Sequence, residues 1–141
     1  MVKTVLWSSA WVQIAQWDID ITAAQLKTAN SIPVVVVPGQ VGWYFEGLAC
    51  SAQYKPGEVA FSAAQGIALT LNGLGLFTST DSLGFDALTP QVALLTPGDA
   101  IVGDLDDLGG ADVLFTAGGD PGGSGTGQLF LSLMGRMSRV R

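Results

Sequence analysis

Ile67-Ala68-Leu69-Thr70-Leu71-Asn72-Gly73-Leu74-Gly75-Leu76-Phe77-Thr78 is the stretch on which the fold turns. It lies inside an uncharged run of 22 residues, Val59 to Thr80, long enough to cross a bilayer if it were helical. Its pattern points elsewhere. Ile67, Leu69 and Leu71 alternate with Ala68, Thr70 and Asn72, the period of a strand. Asn72-Gly73 is the pair that suits a two-residue hairpin turn, where both residues need positive φ. Ser62, Gln65, Gly66 and Gly75 further interrupt any apolar helix. The run therefore reads as strands joined by a tight turn.

Working outward, the same short-strand grammar recurs. Lys3 to Ser9 is β-capable. Trp11 to Ile21 alternates, with Trp11, Gln13, Ala15, Trp17, Ile19 and Ile21 on one face. Thr22 is placed to cap a short helix near residues 23–29, ended by Asn30. Four β-branched residues, Val34 to Val37, predict a strand buried on both faces, closed by Pro38-Gly39. A longer aromatic-rich strand follows over Val41 to Tyr54. Further strands are predicted at Val59–Ser62, Gly66–Leu71, Gly75–Thr78, Gln91–Thr96, Ala100–Val102, Asp112–Ala117 and Gln128–Met134. Gly118 to Gly127 reads as a flexible loop. Turn signals every eight to twelve residues, with one helix and no βαβ alternation, predict an all-β domain. The expected architecture is an antiparallel β-sandwich or jelly roll. Residues 1–20 are expected to form an N-terminal strand or arm, 21–135 the sandwich, and 136–141 a basic C-terminal tail.

Composition narrows the function. The chain has 141 residues, of which 13% are charged and 48% hydrophobic. An average soluble domain is about 25% charged. Six basic against twelve acidic residues leave a net charge of −6, the wrong sign for binding nucleic acid. Histidine is absent, which removes mechanisms that depend on imidazole. The single cysteine, Cys50, lies in an apolar stretch and excludes an internal disulfide. Met1 to Ala10 lacks the apolar core of an export signal, because Gln13 and Gln16 follow too soon. A soluble intracellular product is the expectation.

Charge is unevenly spread. Residues 1–55 carry three bases and three acids, and residues 56–135 carry nine acids and no base. Residues 136–141 carry three arginines. An arginine-bearing end of one copy could therefore lie on an acidic surface of the next, or on its own domain. A chain so short of charge would also expose more apolar surface than soluble monomers tolerate, which favours a homo-oligomer. Trp7, Trp11, Trp17, Arg136, Arg139 and Arg141 are the expected partner-binding residues.

No stretch specifies chemistry. Asp99 to Asp112 is acidic enough to suggest calcium, yet its spacing fails an EF-hand and equally suits a surface turn. Gly118 to Gly127 lacks the lysine of a phosphate-binding loop and is followed by a strand rather than a helix. Asp18 with Asp20, or Asp104 with Asp106, supplies paired carboxylates without any sign of a cleft. No cofactor, no metal and no enzymatic activity are expected.

Two segments carry a resemblance. Ile21-Thr22-Ala23-Ala24-Gln25-Leu26-Lys27 followed by Pro33-Val34-Val35-Val36-Val37-Pro38-Gly39 is similar to the opening of small virion proteins of tailed bacteriophages. Gly118-Gly119-Asp120-Pro121-Gly122-Gly123-Ser124-Gly125, with the strand and short basic finish after it, resembles the same group. The group often ends on an aromatic strand, whereas Met134-Gly135-Arg136 departs from that. The resemblance implies a non-enzymatic capsid decoration or cement protein, a dimer or trimer, bridging neighbouring subunits of a major capsid protein. It implies a place on the capsid surface of a virion assembled in the host cytoplasm, with no nucleic-acid or membrane partner. The alternative is a phage tail or fibre-associated module binding host carbohydrate through Trp43 and Tyr44, with calcium at Asp104 and Asp106.

Overall fold

The structure, a computed structural model, describes residues 1–141 except for the side chains of Leu105 and Asp106. Ten strands form: β1 (Val2–Ser8), β2 (Val12–Ile21), β3 (Val34–Val37), β4 (Trp43–Lys55), β5 (Ile67–Leu71), β6 (Leu74–Thr78), β7 (Gln91–Leu94), β8 (Thr96–Pro97), β9 (Val113–Ala117) and β10 (Gln128–Arg139). Two short helices accompany them, α1 (Ala23–Lys27) and α2 (Leu105–Leu108). Among the described residues no helix is long and apolar enough to cross a membrane.

The Asn72-Gly73 turn organises the rest. Asn72 has φ 48° and Gly73 φ 77°, the two left-handed residues of a primed turn whose twist matches its strands. Leu71 pairs with Leu74 across it, so β5 and β6 form a tight hairpin. The pairing then propagates away from this tip: β4 with β7, β3 with β9, and β2 with β10, all antiparallel. The chain is thus one long hairpin rolled up on itself. Rolling puts β2-β10-β4-β7 in one sheet and β3-β9-β5-β6 in the other, the two four-stranded sheets of a jelly roll. β1 extends the first sheet beyond β2, and β8 extends the second beyond β6.

Alternation fills the space between the sheets. Ala15, Trp17, Ile19 and Ile21 of β2 and Leu129, Leu131, Leu133 and Met137 of β10 face inward from the first sheet. Leu69, Phe77, Val113 and Phe115 meet them from the second. Trp17 and Phe45 stack edge to face at 5.6 Å, as do Tyr54 and Phe85 at 5.0 Å. Thr22 caps α1 as expected: its side chain accepts from the Gln25 amide at 3.2 Å, and the Gln25 side chain accepts from the Thr22 amide at 3.0 Å. The reciprocal bonds start a helix too short to hold on propensity alone.

Several expectations need correction. Val34–Val37 is an edge strand pairing only with β9, so Val35 stays 48% exposed instead of buried on both faces. Val59–Ser62 and Ala100–Val102 form no strand. Phe61 is drawn under the sandwich end, where its amide donates to Phe85 O at 3.0 Å. The divisions at 20/21 and 135/136 fall inside β2 and β10. Both strands continue in one ladder, with Arg136 opposite Ile14 and Ser138 opposite Val12, so residues 136–139 are sheet and not tail.

Gly118–Gly127 is also not a loose loop. Asp120 Oδ1 accepts from the Asn30 and Ser31 amides at 2.8 and 3.0 Å. Ser62 N donates to Pro121 O at 3.1 Å and Thr126 N to Val59 O at 2.9 Å. The loop ties the β2–β3 and β4–β5 connections together, and the latter bonds the β6–β7 connection through Phe61 and Gln65, which closes this end. Glycine is needed there for close approach: a Cβ on Gly125 would lie inside the Phe61 ring.

Two outcomes follow from that closed end. Gly125→Ala should destabilise the fold by about 1–3 kcal/mol in denaturant titration, since Phe61 has to move. Gly75→Ala meets only open space and should stay within about 0.5 kcal/mol of the parent. Separately, the bond from the Ser31 hydroxyl, with that from its amide, holds the Asp120 carboxyl below its ordinary value of 3.8. A lowered pKa stabilises above the unfolded value and loses that contribution as pH falls through the folded one. Amide exchange at Asn30 and Ser31, corrected for its intrinsic rate, should therefore accelerate below pH 3.8. In Asp120→Ala it should be fast at every pH.

Candidate functional site

Two stretches of exposed apolar surface adjoin the expected contact residues, besides exposed side chains elsewhere such as Ile32, Leu88, Val92 and Leu94. The first is β1. All seven of its residues are exposed, among them Val2 at 62%, Leu6 at 51% and Trp7 at 54%. A bulge at Leu6 shifts the register, so that Trp7 faces Ile14 on the outer side of the sheet, with Val2 and Thr4.

The second is the end opposite the closed loops. Ser9 makes the turn from β1 to β2, its hydroxyl accepting from the Trp11 and Val12 amides at 3.3 and 3.2 Å. That turn leaves Trp11 45% exposed, just before β2 enters the sandwich. Arg139 N donates to Trp11 O at 2.8 Å. The Arg139 and Arg141 guanidiniums lie 5.8 and 4.9 Å from the centre of the Trp11 ring, within cation–π range. Together with Tyr44 they line a shallow groove of about 320 Å³. Val41 and Val102, 94% and 89% exposed, lie in loops at the same end.

Five of the six expected contact residues thus fall into three groups. Trp11, Arg139 and Arg141 come together. Trp7 stands on β1. Arg136 is on the outer face of β10, where it pairs with Glu46 directly across the strands. Both partners are exposed, so the pair contributes about 0–1 kcal/mol. Trp17 is the exception: it is 2% exposed, packs on Phe45 and has the Lys3 ammonium 5.5 Å above it. Alternation correctly gives Trp17 an inward face, and that burial removes it from any contact surface.

The remaining candidates serve the fold. Trp43 packs against the core, while Tyr44 faces the groove. Asp112 Oδ1 accepts from the Gly39 amide at 2.6 Å. Asp104 O receives the Asp107 and Leu108 amides at 3.0 Å and so starts α2. The Asp106 side chain, half of the expected calcium pair, lies outside the described residues. Among the described residues no three acidic or cysteine side chains cluster tightly enough to hold a metal ion. Asp18 accepts from Gln16 and Ser132 at 3.2 Å on the open outer face of the sheet, away from any cleft. Burial pushes the Cys50 thiol up to about 12, which leaves almost no thiolate near neutrality.

No protein-family model matches the chain, and no curated protein is significantly similar to it. Two solved structures resemble it loosely. A chain of the cyanophage Pam1 capsid asymmetric unit is 12% identical with a TM-score of 0.41, over 92% of this chain and 89% of that one. A chain of the mud crab tombus-like virus is 10% identical with a TM-score of 0.35, over 99% of this chain and 80% of that one. Likeness of this degree says nothing further about this chain.

Proposed function

We propose that the chain is a non-enzymatic structural protein of a virion: a decoration or cement protein on the capsid surface that bridges neighbouring coat subunits. The fold alone does not decide this, because jelly rolls also serve as lectins and enzymes. The observation that carries the reading is β1, a strand whose every residue is exposed and whose residues include Val2, Val5, Leu6 and Trp7. Such a surface is unfavourable in water and becomes favourable once another protein covers it. A cement acts in that way: each bridge adds buried area across a joint between subunits, and no reactive group is required. Trp7, Trp11, Arg139 and Arg141 are the contact residues of this reading, with Arg136 on the flanking sheet face.

A second reading has one observation in its favour. The groove of Trp11, Tyr44, Arg139 and Arg141 combines an aromatic face with two guanidiniums, a pairing that suits a carboxylate-bearing sugar. A tail or fibre-associated carbohydrate-binding module would use it.

Co-sedimentation with empty capsid shells, with an acidic-glycan array as the parallel measurement, separates the two. The cement reading expects saturable binding to shells, weakened at least about tenfold in Trp7→Ser and in the Arg139→Ala/Arg141→Ala double variant, one buried aromatic or paired charge being worth about 1.4 kcal/mol or more. A chain that ignores shells yet is retained on an array of acidic glycans contradicts it and supports the module.

A further inference from the structure

The geometry points to β1 as an edge left open for a second copy of this chain: two β1 strands pair antiparallel across a two-fold axis and join two five-stranded sheets into one of ten. This rests on the structural reading above and names the partner for one of its surfaces.

Four strand edges exist in the sandwich, and three are blunted. β3 has four residues and is bounded by Pro33 and Pro38. β7 has four residues and follows Pro90. β8 has two residues, one of them Pro97. Short length, proline, charge and bulges are the ordinary means by which an edge is kept from pairing; β1 has Lys3 and the bulge at Leu6 but neither short length nor proline. β1 has seven residues, no proline and one charge, Lys3. It also projects past the second sheet, and so is exposed on both faces. An edge with these properties is a liability for a monomer and a template for an added strand.

The occupant follows from symmetry and charge. A two-fold axis makes any strand its own antiparallel complement, with no separate partner sequence needed. A centre at Val5 keeps the two Lys3 residues four strand steps apart, about 13 Å, beyond the ~8 Å screening length of physiological salt. The body of the chain is acidic, but residues 1–55 are balanced, so two copies meet here without net repulsion. Met1, Val2, Val5, Leu6 and Trp7 together expose apolar area on the order of 500 Å², at the upper end for a soluble monomer. Edge pairing covers the open backbone groups of β1 and the flanks of these side chains, a fraction of that area, so the interface falls below the roughly 800 Å² per partner of a standard one and rests mainly on its backbone bonds. Trp7, turned to the outer face by the bulge, lies across the joint.

A cysteine scan tests the register in the full-length chain. Thr4→Cys, Val5→Cys and Leu6→Cys are made singly, with Ser82→Cys, at an exposed position, as a surface control. Cys50 is buried and does not compete. Opposed residues in an antiparallel pair sit about 4.5–5.5 Å apart at Cα, within disulfide range. Under mild oxidation one scan position should form covalent dimer at least ten times faster than the control. Light scattering should show a dimer that Leu6→Lys weakens tenfold or more. A monomer at every concentration, equal cross-linking at all positions, or a dimer indifferent to Leu6→Lys overturns the pairing. Shell co-sedimentation of the same samples keeps the two readings apart: shell binding by a monomer defeats the pairing and leaves the cement role standing.

Discussion

Backbone pairing of Gln128–Arg139 with Val12–Ile21 on one side and Trp43–Lys55 on the other holds the first sheet together. β10 is the only strand that bonds both of its long neighbours, and it joins the last part of the chain to the first. Its inward residues, Leu129, Leu131, Leu133 and Met137, lie over the second sheet's Leu69, Val113 and Phe115. Removing any large one of these costs both the transfer energy and a cavity, about 2–5 kcal/mol. The rolled hairpin depends on this closure, because the pairings near its tip are short and those at its open end are long.

The molecule built this way has two unlike ends. At one, Asp120, Pro121 and Thr126 bind the connections to one another, and Phe61 and Phe85 plug the opening between the sheets. At the other, Trp11 and two arginines sit beside exposed valines, and backbone bonds from Gly110 to Trp43, Val140 to Gly42 and Arg139 to Trp11 tie the strand ends together. Along the side, three edges are short or carry proline and one does not. β1 is thus the longest open edge, exposed along its whole length.

Much of the fold was legible in the sequence because it rests on local signals. Asn72-Gly73 needs positive φ at both residues, and the alternation of β2, β5 and β10 marks their buried faces without reference to partners. Thr22 marks the start of α1 by itself, while the reciprocal bond from Gln25 appears in the structure. What escaped depends on distant residues. Val34–Val37 looks like a central strand, and only the position of β9 makes it an edge. Val59–Ser62 has strand propensity, yet its backbone bonds go to residues 85, 121 and 126. The glycine-rich loop is ordered by contacts to Asn30, Ser31 and Ser62. At the candidate site, composition and position make Trp7, Trp11, Arg139 and Arg141 expected contacts, and the structure brings three of them together at one corner. That Trp17 is core while Trp11 is surface follows from where β2 enters the sandwich. Arg136 meets a glutamate 90 residues away, a pairing no local pattern records. The overhang of β1 was invisible for the same reason, since it depends on where the other sheet ends.

The central claim is that the open surfaces of this protein are covered by other protein in its working state. Hydrogen–deuterium exchange measures that cover directly, comparing the dilute chain with the chain bound to shells. Slowed exchange confined to residues 1–12 and 136–141 is the result the account predicts. Unchanged exchange there, or protection at the closed loop end instead, would contradict it.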